Sequence, residues 1–430
     1  MHYLKHCGRR QGTDNQDDED MKKMPLLLFS LFAFLTISAG EVTQAEALQK
    51  AQQFFDKAAV GKRAPRQSPA LVLANSRDEF YVFNDEANGG YVVVSGEDRM
   101  PDVLAYSYNS HFDTDNLPCN MQVWLEGYAG QVKYLRAHPE VKAARRTASA
   151  RENVGPLLTC WFDQRRPYNE KCPEVEGNRC VTGCVATAMA QIMYYWQWPK
   201  QTSKVIPSYT TLTLKIDMPV QPVTTIDWDN ILGLYRGFGY TEAQADAIST
   251  LMLLCGTAAE MDYSPTGSGA GMVDAKRAFH KYFGYSGLAE YVRREAYSSE
   301  DWEQLIYDEM KNLRPVLYTG APAEDTDGHA FVLDGYEDGY FHVNWGWGGS
   351  EGYVLMTSAE GWRGYAEAQD AVVNIQPPSA DTPIQSVKAD NSFDYVYSLS
   401  GVRLRNSAKD LNGMKRGMYI VNGKKVVKSN

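Results

Sequence analysis

Two short segments constrain this chain more than anything else in it. The first is Cys180-Val-Thr-Gly-Cys184-Val-Ala-Thr-Ala-Met-Ala-Gln. The second, Gly328-His329-Ala-Phe-Val-Leu-Asp-Gly, puts a histidine 145 residues beyond Cys184, and His342-Val-Asn344-Trp345-Gly-Trp347-Gly-Gly follows it. The first reads as a helix opening on a cysteine, the second as a strand opening on a histidine, and the third as a strand ending on an asparagine beside tryptophan. Amides of a helix N-terminus favour a thiolate. A thiol also needs a base, and the base needs a partner that fixes its ring. The fold must therefore bring a helix start and two strand ends together.

The pattern along the chain predicts an α+β protein. Glu41–Lys57 is an amphipathic helix with Ala45, Leu48, Ala51 and Phe55 on one face. Tyr81–Phe83 and Tyr91–Ser95 are apolar strands around a Gly-rich turn, and Leu117–Ala137 is a second helix burying Trp124, Tyr128, Val132 and Leu135. The stretch 138–151 carries Lys142, Arg145, Arg146 and Arg151 among small residues and reads as an exposed, cleavable linker. Val185–Trp196 and Ser298–Leu313 are helices, the latter with a serine cap. Strands follow at Pro315–Tyr318, His329–Leu333, Tyr340–Asn344 and Gly352–Met356, so residues 152–376 form a unit with a helical front and a strand-rich back. Residues 377–383 are a Pro-containing linker, and 384–430 a small β tail with a hairpin at Asn422-Gly423.

Residues 24–39 are the one long apolar run, preceded by Lys22 and Lys23 and ended by small residues. Residues 21–40 thus read as a signal peptide cut near Ala39–Gly40. Its roughly 14 apolar residues are too few for a stable membrane span. Residues 1–20 read as an extension upstream of a better start at Met21. A net charge of −10 argues against nucleic acid as partner. No metal-ligand spacing is found and no cofactor is implied. Export permits disulfides, and Cys172 and Cys180, flanking a short polar loop, can pair.

Within the site, Cys184 is the candidate nucleophile behind Gly183, which allows a tight entry. His329 behind Gly328 is the candidate base, Asn344 its orienting partner, and Trp345 or Trp347 the cover over that bond. His342, in mid-strand, reads as a structural histidine. Gln164, 20 residues before the cysteine, can add a side-chain donor to the backbone N–H of Cys184 for a developing oxyanion. A catalytically silent binding or inhibitor protein and an amine acyltransferase remain as alternative readings.

The segments Asp163-Gln164…Pro167-Tyr168-Asn169, Thr182–Gln191, Met261-Asp-Tyr263, Gly328–Val332 and His342–Gly349 resemble the streptopain family of secreted bacterial cysteine peptidases. The sequence departs from that pattern at Arg165-Arg166 and in its extra cysteines. The resemblance implies a two-lobed papain-like domain, with Cys184, His329, Gln164 and Asn344 in the roles given above. It also implies that residues 41–151 are an inhibitory propeptide, that protein or peptide substrates are the partners, and that the Gly-rich loop with Ser268 and Gly269 lies near the cleft. Tyr397-Ser-Leu-Ser-Gly401 and Gly417–Lys424 resemble a C-terminal sorting domain of type IX secretion, which implies a secreted or cell-surface protein.

Overall fold

The computed structural model describes residues 40–60, 67–141, 151–235, 237, 239–320, 328–356 and 369–378, and in the tail 396–397, 403–405, 417–421 and 424–428. The extension 1–20, nearly all of the signal segment 21–40, most of the basic linker, most of the linker 377–383 and the Asn422-Gly423 turn lie outside the described residues.

Alternation along the strands sets the architecture. The N-terminal unit runs α1 (Gln44–Val60), β1 (Leu71–Ser76), β2 (Phe80–Asp85), β3 (Tyr91–Ser95), β4 (Val103–Ser107) and α2 (Cys119–Ala137). Two short hairpins, β5–β6 (Glu174–Val175, Asn178–Arg179) and β7–β8 (Tyr209–Thr210, Asp217–Met218), flank α3 (Cys184–Trp196). Then come α4 (Glu242–Ala258), α5 (Met272–Lys281), β9 (Glu290–Arg293) and α6 (Ser299–Lys311). Strands β10 (Val316–Gly320), β11 (His329–Glu337), β12 (Tyr340–Asn344), β13 (Glu351–Val354) and β14 (Gln369–Val373) follow. In the tail, β15 (Val396–Tyr397), β16 (Arg403–Arg405), β17 (Gly417–Val421) and β18 (Lys424–Lys428) make a separate sheet.

Ten strands form one antiparallel sheet in the order β1-β2-β3-β4-β13-β12-β11-β10-β14-β9. Residues 41–151 and 152–376, read from sequence as separate units, are thus joined through β4 and β13, where Tyr106 pairs with Tyr353 and Ala105 with Val354. β4 is buried throughout and β13 from Gly352 to Val354, so each strand covers the other's edge in the intact chain. Tyr106 stacks on Tyr353 at 4.9 Å, and the Tyr128 hydroxyl lies 2.7 Å from Leu104 O and 2.8 Å from Leu355 O, one carbonyl from each unit.

Two cores lie on opposite faces of the back half of this sheet. Val316, Tyr318, Phe331, Leu333, Phe341 and Val343 pack with α1, α2 and α6. Leu317, Ala330, Val332 and Val372 pack with α3, α4 and α5. Period-2 alternation in each strand feeds both layers. Helix α6 opens as the sequence predicts, with Ser298 Oγ accepting from Asp301 N at 3.1 Å.

Residues just past the linker belong to the second unit. Val154 bridges Tyr336 through two backbone bonds of 2.8 and 2.7 Å, and Asp338 N donates to Asn153 Oδ1 at 2.9 Å. Glu152 N donates to the Tyr307 hydroxyl at 3.0 Å, and the Arg151 guanidinium sits 5.1 Å over that ring. Processing that separates the two units is therefore expected N-terminal to Arg151. N-terminal sequencing of the mature chain checks this, and a mature form starting beyond Val154 would contradict it.

Candidate active site

Helix α3 begins at Cys184, and the residue before it decides the geometry. Gly183 has φ of 85°, and a Cβ there would lie 2.7 Å from Met261 Sδ and 2.9 Å from Ser268 O. Only glycine fits this entry. No side chain caps α3, so its first-turn amides are not taken up by a cap. Cys184 is buried in the helical core. Gly183→Ala is expected to cost about 1–3 kcal/mol through strain at positive φ. It would also shift Cys184, so a thermal melt and a turnover assay on one sample should both fall.

The Gly-rich loop lies where it can touch this entry. Gly269 pairs with Asp262 in a short bridge, and the Ser268 carbonyl faces Gly183. The Ser268 hydroxyl is committed to the loop itself: it accepts from Ser264 N at 2.9 Å and lies 2.7 Å from Val181 O. Gln164 is buried; its carbonyl accepts from Thr182 N at 3.1 Å, which ties its segment to the cysteine loop. The Gln164 side-chain amide makes no hydrogen bond with a described residue. Asp163 Oδ1 accepts from Gln164 N and Arg165 N, a turn that sets the residue's direction.

His329 opens β11 opposite Gly320, with Gly328 buried before it. Its parity is that of Phe331 and Leu333, so it stands on the face covered by the N-terminal unit, whereas Ala330 and Val332 face the helical core. On that face the His329 Nδ1 lies 3.6 Å from Cys119 Sγ, at the start of α2. The next residue, Asn120, donates from Nδ2 to Trp345 O at 2.8 Å. Trp345 packs against Phe331 at 4.9 Å and Trp124 of α2 at 6.4 Å; Trp347 lies at the margin of the same core. Asn344 donates from Nδ2 to Cys160 O at 2.8 Å and accepts at Oδ1 from Gly346 N at 3.1 Å. Cys119 and Asn120 had no signal in the sequence beyond a proline before a helix.

Cys172 and Cys180, the candidate pair, are both buried and are free thiols in this structure. Just beyond the β5–β6 hairpin, Cys180 N donates to Pro173 O at 2.9 Å, which brings Cys180 beside the residue that follows Cys172. Burial pushes the Cys172 thiol up to about 12, with a further push from Cys180, and burial pushes Cys180 up to about 11. A raised thiol pKa means less thiolate at neutral pH, so neither is a fast nucleophile there.

Two lobes that meet at a buried cysteine, with a histidine on a sheet masked by an N-terminal α+β unit, define a papain-like cysteine peptidase that carries its own cover. The Peptidase C10 family description matches residues 162–353, and that of the Spi protease inhibitor matches residues 39–132. Streptopain of Streptococcus pyogenes is 33% identical over 378 residues, 78% of this chain and 92% of that protein. The thiol protease/hemagglutinin PrtT of Porphyromonas gingivalis is 32% identical over 382 residues, 81% of this chain but only 43% of PrtT. The structure of a prointerpain A fragment from Prevotella intermedia superposes with a TM-score of 0.64 at 31% identity, covering 72% of this chain and 99% of the fragment. This chain belongs to the peptidase C10 family, the streptopain-like cysteine endopeptidases.

Proposed function

We propose that the protein is an exported endopeptidase zymogen in which Cys184 is the nucleophile and His329 the base. Asn344 orients the base under Trp345, and the Gln164 amide with the Cys184 N–H holds the oxyanion. The observation that carries the latent state is the position of His329. Its ring stands on the face of β11 that α2 covers, against the Cys119 thiol of the N-terminal unit.

Cutting the basic linker removes the tether and with it the high effective concentration of the N-terminal unit. Its departure uncovers His329 and releases the Trp345 carbonyl from Asn120. Asn344 Oδ1 has a second lone pair beyond the one given to Gly346, so it can then accept from the imidazole. The thiolate attacks the scissile carbonyl, the oxyanion forms between Gln164 and the Cys184 amide, and the imidazolium protonates the leaving amine. Water, deprotonated by His329, then releases the acyl group. The substrates are proteins or peptides, whose backbone passes the Ser268–Gly269 loop. The signal segment and the sorting-like tail take the enzyme to the outside or the cell surface.

The test is product analysis in water enriched in ¹⁸O, using the processed enzyme and an unfolded protein, with and without an added primary amine. Hydrolysis predicts new carboxylates carrying the label in both cases. Amide products that dominate when the amine is present would favour acyl transfer and contradict the reading.

A further inference from the structure

We infer that Asp334, His342 and Glu351 form a brace that positions the Gln164 amide, holding the Leu157–Gln164 segment against the base-bearing sheet. The inference rests on the oxyanion role proposed for Gln164. None of the three is a catalytic residue; each acts through that segment.

The brace begins at a β-bulge. Pairing between β11 and β12 steps from Leu333↔Val343 to Gly335↔His342, which leaves Asp334 as the extra residue. Asp334 is fully buried, and a buried carboxylate is costly unless its acceptor sites are filled. Here they are filled from two sides. Oδ2 accepts from Leu158 N at 2.8 Å, and Oδ1 lies 2.6 Å from His342 Nδ1. The Asp334 carbonyl also accepts from Leu157 N at 2.8 Å. A carboxylate accepts and does not donate, so the proton between the two side chains belongs to Nδ1. The opposite ring nitrogen, Nε2, lies 3.7 Å from Glu351 Oε2, too far for a hydrogen bond, and the two form an ion pair only when the ring carries a proton on both nitrogens. That same oxygen accepts from Trp161 Nε1 at 2.8 Å.

The chain of contacts therefore leaves the segment at Leu158 and returns to it at Trp161. Between these points Asn344 grips Cys160 O, and just beyond them Gly348 N donates to Phe162 O at 3.0 Å. Gln164 is two residues further on. Gly335 allows the close pass: a Cβ there would lie 3.0 Å from His342 Cβ and 3.1 Å from both Pro156 N and Val154 O. An oxyanion donor works through placement, and small displacements cost rate rather than binding. His342 and Asn344 share one face of β12, so a single strand would orient both the base and the oxyanion segment.

The experiment is a double-mutant cycle on the full chain, processed with a trace of wild-type enzyme. Glu351→Ala and His342→Ala are each combined with Gln164→Ala, with thermal melts to confirm folding. Glu351 lies nearer the surface, so its variant is the one expected to melt like the wild type. Each brace variant alone should lower kcat about tenfold, a fraction of what loss of an oxyanion donor costs. KM should stay within about twofold, and so should the rate of Cys184 alkylation by iodoacetamide, which needs no oxyanion site. In the Gln164→Ala background the further loss should fall below about twofold, because the group being positioned is gone. Glu351→Gln, which keeps an acceptor for Trp161, should restore most of kcat. A large Gln164→Ala loss with brace losses that multiply would overturn the brace alone. An unchanged kcat in Gln164→Ala would overturn the oxyanion reading together with it.

Discussion

Cys184→Ala is expected to abolish peptide hydrolysis and leave a folded, unprocessed chain. Removing the nucleophile of a set that acts as a unit costs on the order of 10⁴- to 10⁶-fold in turnover. Among the described cysteines of the second unit, only Cys184 opens a helix; Cys160 is buried outside one. Cys172 and Cys180 are buried thiols with pKa values pushed up to about 12 and about 11, and Cys255 is buried and pushed upward too. Cys119 belongs to the N-terminal unit and leaves with it. The side chain lost is small and the helix start is fixed by Gly183, so the melting temperature should change little. Retained turnover, or self-processing of the pure variant, would remove Cys184 from its assigned role.

The second large effect is at the base. His329→Ala should cost at least about 10³-fold, since general base and general acid steps both pass through the ring. Asn344→Ala should cost less, because Asn344 orients the ring without exchanging its proton. The wild type should show a bell-shaped dependence of kcat/KM on pH. Its two limbs report formation and loss of the thiolate–imidazolium pair. In His329→Ala the residual rate should lose that shape. Asn344→Ala also frees Cys160 O, so its melt must be read beside its kinetics. A loss at Asn344 equal to that at His329, with the fold intact, would contradict the division of roles.

Much of the fold was legible because local signals were strong. Helix α2 showed its buried face in Trp124, Tyr128, Val132 and Leu135, and α6 its serine cap. Helix α4 escaped notice because it is enclosed: Ala247, Ile248, Leu251, Leu254 and Cys255 surround it with apolar contacts and leave no polar stripe to set a period. Its capping box, Thr241 with Gln244, was the available sign. The junction of β4 with β13 pairs residues nearly 250 positions apart, and no local pattern encodes such a register.

The site was legible as residue types and order, not as a state. Gly-His, Asn-Trp-Gly and Gly-Cys before a helix named the candidate groups. The face on which His329 stands depends on what covers the sheet, and Cys119 gave no sign of its part. The spacing of Cys172 and Cys180 did not show that the hairpin register sets Cys180 against Pro173, next to Cys172. His342, expected as a structural histidine, has the Asp334 carboxylate as partner, which became visible only with the bulge.

The most direct test of the central claim is to measure the rate at which an electrophilic peptide labels each cysteine, mapped by mass spectrometry, before and after processing. The account predicts one adduct, on Cys184, in the processed enzyme. Labelling should be at least about tenfold slower in the intact chain, where α2 holds His329, and should be lost from the processed enzyme when His329 is replaced by alanine. An adduct on another cysteine, or equal labelling of Cys184 before and after processing, would contradict it.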